Sequence, residues 1–283
     1  MTHRPSMLFL NSSADYLSAL VKFYTQNVSE IEWSNDAFNS LVLPEEQKEL
    51  VLALSEAQVG DITAFDDVVQ GKGKGMIILL SGPPGVGKTL TAEAVSENMK
   101  VPLYMMSAGD LGVRADEVES ALDDILEMVA KWRAILLIDE CDVFLEARSV
   151  HDLKRNSLVS IFLRLLEYYA GTLFLTTNRV ENIDPAFQSR IHVHMAYPNL
   201  TNDSRQSIWS NFISRITLPC QIDDKDITAL AELPLNGRQI KNLVKTAQLL
   251  AVRSKKPLTR KHIETVLAIE KGKGFGQGAV ESS

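Results

Sequence analysis

Met76-Ile77-Ile78-Leu79-Leu80-Ser81-Gly82-Pro83-Pro84-Gly85-Val86-Gly87-Lys88-Thr89 is the stretch whose reading decides the fold. Met76 to Leu80 is a short continuous apolar run, as expected of a strand buried on both faces of a parallel sheet. The eight residues from Gly82 to Thr89 then satisfy GxxxxGK[ST] between that strand and a predicted helix over Thr89 to Met99. Each position has a physical reason. The glycines Gly82, Gly85 and Gly87 let backbone N–H groups turn inward around phosphate oxygens, with Pro83, Pro84 and Val86 as the spacers. The helix aims its positive end at the anion. Lys88 neutralises charge on the β- and γ-phosphates, and the Thr89 hydroxyl is placed to hold Mg²⁺. Leu90 follows as part of the same nucleotide-binding set.

Working outward, apolar runs and helical patterns alternate. Pro102 to Met106 reads as a strand, and Asp116 to Lys131 as a helix with Val118, Leu122, Ile125 and Val129 along one face. Ala134 to Ile138 reads as a strand, Asn156 to Tyr169 as a helix, and Thr172 to Thr176 and His192 to Ala196 as strands. Such alternation predicts the α/β class: a P-loop NTPase three-layer αβα sandwich on a parallel sheet. After Pro198 the strands stop. Asn202 to Arg215, Asp226 to Leu233, Gly237 to Arg253 and Thr259 to Ile269 predict a small α-helical lid domain. Upstream, Asp15 to Asn27 and Pro44 to Ala57 read as helices, and Gly71 to Gly75 as a flexible turn. The expected organisation is an N-terminal helical extension over 1–32, an α/β ATPase core over 33–198, a helical lid over 199–270 and a disordered tail over 271–283.

The 283 residues suffice for a large core, and 45% hydrophobic with 23% charged residues is ordinary for a globular chain. A net charge of −7 disfavours nucleic acid as a partner, because no global basic surface exists to attract it. Cys141 and Cys220 fit neither a metal-ligand spacing nor a disulfide framework, so a reduced, intracellular setting is expected, the cytoplasm foremost. No apolar run reaches the roughly 20 residues a membrane span needs, so membrane insertion is not expected.

Two further strand ends carry chemistry. Ile135-Leu136-Leu137-Ile138 runs into Asp139-Glu140, and ligands of open α/β sheets bind at the carboxyl ends of strands. Asp139 is suited to hold Mg²⁺ and Glu140 to polarise an attacking water. Cys141 reads as a small packing residue, and Asp142 as the cap of the following turn. Leu173-Phe174-Leu175-Thr176-Thr177-Asn178 ends beside that strand, where the Asn178 amide can hold the lytic water and touch the γ-phosphate.

With GPPGVGKT, LLIDECD and TTNRVENIDPAFQSRI together, the chain resembles the AAA+ ATPase superfamily from about Trp33 to Ile269. Stretches such as LVLPEEQKEL and RNSLVSIFLRLLEYY also resemble AAA ATPases of filamentous fungi. The resemblance implies ATP and Mg²⁺ as ligands and a homo-oligomeric ring, often hexameric, with nucleotide between subunits. It implies that Asn178 is the sensor asparagine and that Arg190 reaches a neighbour's γ-phosphate as an arginine finger. It places Arg238 at the second-sensor position, where the AAA group carries alanine, and it places Phe38, Leu41 and Val42 along the adenine. Segment 107–112 lies where threading relatives carry an aromatic pore loop, yet this chain has no aromatic between Tyr104 and Trp132.

The expected function is ATP hydrolysis that drives remodelling of a protein partner. The competing readings are a nucleotide-dependent scaffold with little turnover and a DNA-acting loader. The acidic balance counts against the loader.

Overall fold

A computed structural model of the chain describes residues 30–34, 36–59, 75–112, 114–148, 152–179 and 183–272. The helix expected over 15–27, the turn before Gly75 and the tail from 273 onward lie outside the described residues. The described residues form two compact units. One runs to Pro83 and from Gly87 to Pro198, and the other joins Pro84–Val86 to the chain from Asn199 onward.

In the first unit, β1 (Met76–Ser81), β2 (Leu103–Ser107), β3 (Ile135–Asp139), β4 (Thr172–Thr177) and β5 (Val193–Ala196) form one five-stranded sheet in the order β2-β3-β4-β1-β5. Every pairing is parallel. The register explains why the strands read as unbroken apolar runs. Met106, Ile138, Leu175 and Leu79 line up in one row across the sheet, and Tyr104, Leu136, Leu173 and Ile77 in the next. Both rows belong to the cluster that packs against α3 (Ala115–Lys131) and α5 (Leu153–Tyr168). The alternate residues Ile78, Leu80, Ile135, Leu137 and Phe174 are equally buried, because a second layer, with α2 (Lys88–Met99), covers the opposite face. Burying one such side chain contributes about 1.5–3 kcal/mol, so both layers are needed to keep the sheet dry.

The expected α3 stripe faces the core, with Val118, Leu122 and Val129 buried and Ile125 half-buried against it, and Leu126 is buried in addition. Three short elements were not foreseen: a 3₁₀ turn at Ala108–Leu111, α4 (Asp142–Leu145) and α6 (Pro185–Gln188). Their side chains still matter. Phe144 on α4 stacks on Phe162 of α5 at 4.9 Å between ring centroids, and Phe162 meets Phe187 of α6 at 5.8 Å. These rings fix the chain just after Glu140 and just before Arg190 to one long helix, each contact adding about 0.5–1.5 kcal/mol beyond burial. Upstream, α1 (Glu45–Val59) begins one residue after Pro44.

The second unit contains α7 (Asn202–Ser214), α8 (Asp224–Ala231), α9 (Gly237–Ser254) and α10 (Arg260–Gly272) around the fully buried Trp209, Ile240, Leu243, Ala247 and Ile263. Its helix starts are specified locally. Asp223 with Asp226 and Asn236 with Gln239 form capping boxes that satisfy N–H groups the helices leave unpaired. Helix α10 runs on to Gly272, past the expected end at Ile269.

Candidate nucleotide site

The phosphate loop leaves β1 in a conformation suited to glycine. Gly82, Gly85 and Gly87 have φ of 141°, 75° and 110°, values that side chains strongly disfavour. At Gly82 space forbids substitution as well: a Cβ there would lie 2.3 Å from the Tyr197 carbonyl oxygen. Gly87 differs, since a Cβ would meet nothing within 4 Å. It is also the N-cap of α2 and offers no capping side chain, so the first N–H groups of the helix remain available to an anion. This combination of inward-turning glycines, open space and an uncapped helix start fits a nucleotide's phosphates.

Lys88 is buried, and its Nζ donates to the carbonyl oxygens of Gly82 at 2.7 Å and Pro83 at 2.8 Å and to Asn178 Oδ1 at 2.8 Å. The phosphate-loop lysine and the asparagine at the end of β4 are therefore in direct contact. The Thr89 hydroxyl donates to Asp139 Oδ1 at 3.1 Å, which joins the two candidate Mg²⁺ ligands across 50 residues of sequence. Leu90, one residue further along α2, is exposed.

Glu140 follows Asp139 with φ of 54°, a left-handed conformation rare for a residue with a side chain. Its backbone N–H is held by the Thr176 hydroxyl at 3.0 Å, while that hydroxyl donates to Asp139. The carbonyl of Thr176 accepts the Cys141 N–H at 2.9 Å and the thiol at 2.9 Å. Burial pushes the Cys141 thiol well above its ordinary pKa, with the neighbouring Asp142 adding to it, so Cys141 is a packing residue as expected. Thr177 donates to the Asp142 carboxylate.

Two residues that the sequence reading passed over support the loop from below. Tyr197 donates its backbone N–H to the Ser81 carbonyl at 2.7 Å and crowds Gly82. Its phenol hydrogen-bonds the Thr91 hydroxyl of α2 at 2.7 Å, and burial pushes its pKa up to about 12. Tyr197 and Thr91 are 106 residues apart, so no local signal marked them.

Arg190 lies just past α6. It donates to the Ala186 carbonyl at 3.0 Å and pairs with Glu167 of α5 at 3.4 Å. Its buried Nε has no partner among the described residues. The segment that carries it is anchored at Asp184, whose carboxylate caps α6 and pairs with Arg148 at 2.8 Å. Burial acts to raise the Asp184 pKa, but the Ala186 amide and the Arg148 side chain and amide together hold it below the usual carboxylate value.

Of the residues assigned to adenine, Phe38 and Leu41 are buried in the core and Val42 is half-buried. Arg238 is the exposed second residue of α9 in the helical unit. The first unit thus brings together Lys88, Thr89, Asp139, Glu140 and Asn178, with Arg190 engaged separately on α5.

A phosphate loop on a parallel sheet, with two carboxylates and an asparagine at the ends of the neighbouring strands, is the arrangement of a P-loop NTPase fold. Residues 78–199 match the family described as the ATPase family associated with various cellular activities (AAA). It is 29% identical over 194 residues to an ATP-dependent zinc metalloprotease FtsH of Pirellula staleyi, covering 63% of this chain and 27% of the relative. It is 27% identical over 199 residues to Fidgetin-like protein 1 of Drosophila melanogaster, covering 66% and 38%. It is 28% identical over 193 residues to the ATPase family AAA domain-containing protein FIGL1 of Arabidopsis thaliana, covering 64% and 28%. The chain therefore spans well under half the length of these relatives. No helix among the described residues is long and apolar enough to cross a membrane.

Proposed function

We propose that this chain binds ATP with Mg²⁺ and hydrolyses it as a subunit of an intracellular homo-oligomeric ring, hexameric by analogy with the superfamily, and that turnover remodels a protein partner. The single observation that carries the reading is the 3.1 Å contact between Thr89 and Asp139, the two residue types that hold Mg²⁺ in phosphate-loop enzymes. Lys88 would exchange loop carbonyls for phosphate oxygens, and the loop amides would hold the remaining phosphate charge. Mg²⁺, when bound to Thr89 and Asp139, supplies charge neutralisation on the β- and γ-phosphates. Glu140 would accept the proton of the attacking water, and Asn178, already 2.8 Å from Lys88, would orient that water. Arg190 would add positive charge from a neighbouring subunit, and Val42 would lie along the adenine.

The test is phosphate release by the purified chain against Glu140→Gln. Loss of the base should slow turnover by roughly 10²–10⁴-fold while ATP binding persists. The scaffold reading is favoured by one observation, the capture of Arg190 by Glu167 within its own chain. It predicts equal, near-zero release in both proteins, a result that would sink the hydrolysis reading.

A further inference from the structure

We infer that Thr176 is the positioning residue for the paired carboxylates, a role that rests on the nucleotide reading above. Thr176 is buried in β4, the strand adjoining β3. A threonine hydroxyl has one proton to give and lone pairs to accept with. Here the proton goes to Asp139 Oδ1, and a lone pair takes the Glu140 N–H at 3.0 Å. One hydroxyl therefore orients the side chain of the first acidic residue and the backbone of the second. The backbone of Thr176 extends the grip, since its carbonyl accepts the Cys141 N–H at 2.9 Å. Residues 139, 140 and 141 are thus registered against a single residue of the neighbouring strand.

Two features show why such a hold is needed. Glu140 sits at φ 54°, and a non-glycine residue stays in that region only when its surroundings fix it. Asp139 Oδ1 also receives the Thr89 hydroxyl, the group that a metal ion would engage. When Thr89 turns to the metal, Thr176 is the donor that continues to orient Asp139. Partners that orient a metal ligand from behind typically affect metal affinity or activity by about 10–100-fold. Thr176 is buried and its hydroxyl bonds Asp139 and the Glu140 amide, so its effect is exerted through those two residues.

The experiment compares Thr176→Val, which keeps the shape and removes the hydroxyl, with Thr176→Ser, which keeps the hydroxyl. ATP affinity is measured by calorimetry with and without Mg²⁺, alongside phosphate release over a Mg²⁺ titration and a thermal melt. Thr176→Val should bind metal-free ATP within about 3-fold of the parent, lose most of the Mg²⁺ enhancement of affinity, and need about 10–100-fold more Mg²⁺ for half-maximal turnover. Thr176→Ser should restore both readouts. If Thr176→Val does not fold, Thr176→Ala against Thr176→Ser provides the same contrast. An unchanged Mg²⁺ dependence in the hydroxyl-free variant overturns the inference. So does a Thr176→Ser protein as impaired as Thr176→Val, which would assign the effect to packing. A parent chain that binds Mg²⁺–ATP without turnover would defeat the hydrolysis proposal alone, because the affinity readout still reports on Thr176.

Discussion

Replacing Arg190 by alanine separates two roles that differ in size by orders of magnitude. Within its own subunit Arg190 makes one hydrogen bond to the Ala186 carbonyl and one ion pair with Glu167, with side chains 28% and 25% exposed. The hydrogen bond contributes about 1 kcal/mol net, and an ion pair so accessible to solvent contributes at most about 1 kcal/mol. Removing the residue also relieves the buried, unpartnered Nε, which offsets part of that loss. Arg190→Ala should therefore cost about 1 kcal/mol, a melting shift of roughly 2–4 °C. A finger acting in trans is worth about 10³-fold or more in turnover, or some 4 kcal/mol on the barrier. The decisive assay mixes Arg190→Ala with Glu140→Gln subunits. Each is slow alone, but at equal mixing about a quarter of head-to-tail interfaces pair an intact Glu140 with an intact Arg190, so roughly that fraction of parental turnover should return. No gain over the separate proteins, or an Arg190→Ala protein that turns over normally, would refute the trans assignment and leave Arg190 as a structural ion pair.

Gly82→Ala should destabilise the protein by about 3 kcal/mol in urea unfolding, since φ is 141° and the Cβ would press on the Tyr197 carbonyl. Gly87→Ala meets no neighbouring atom, but a side chain at φ 110° is strained, so it should cost about 1–3 kcal/mol of stability and also bind ATP at least about 10-fold more weakly; equal nucleotide affinity would show that Gly87 does not border the phosphates. Burial lowers the His192 pKa below its ordinary 6.5, and Nδ1 accepts the Ile77 N–H at 3.1 Å. The unfolded chain then takes up the proton more readily, so the stability contributed at this site is full above about 6.5 and falls as pH drops through that value. Melts at pH 7.5 and pH 5 should show this loss, and His192→Gln should reduce it; an unchanged slope in that variant would acquit His192.

The sequence made the central strands legible because a sheet covered on both faces demands apolar runs; the edge strand β5, Val193-His194-Met195-Ala196, is only partly buried and formed where expected as well. The phosphate loop was legible because glycine placement and the flanking strand and helix are local. The short helices α4 and α6 were not, since four residues cannot display a 3.6-residue period. The α3 stripe was legible at Val118, Leu122, Ile125 and Val129, all of which face the core, while Leu126 lies about 100° round the helix from Ile125 and is buried as well, because the covered face is wider than the stripe. Thr176 and Tyr197 were missed for another reason: their roles are pairings across 37 and 106 residues. The one signal available for Thr176 was a polar Thr-Thr-Asn run closing an otherwise apolar strand.

That run also explains how the separate motifs become one site. Strands lie about 4.8 Å apart, so the ends of β3 and β1, which flank β4, are roughly 10 Å from each other and cannot be linked by a short side chain from either strand. The end of β4 bridges them in three consecutive residues. Thr176 holds Asp139 and the Glu140 amide, Thr177 holds Asp142, and Asn178 holds Lys88. Because strand side chains alternate faces, a shift of β4 by one residue would break all three links together and carry apolar Leu175 into the place of a hydroxyl. The order β3-β4-β1 is therefore more than a covering arrangement for the core. It sets the distance between phosphate loop and carboxylates, and the last residues of the middle strand keep that distance fixed.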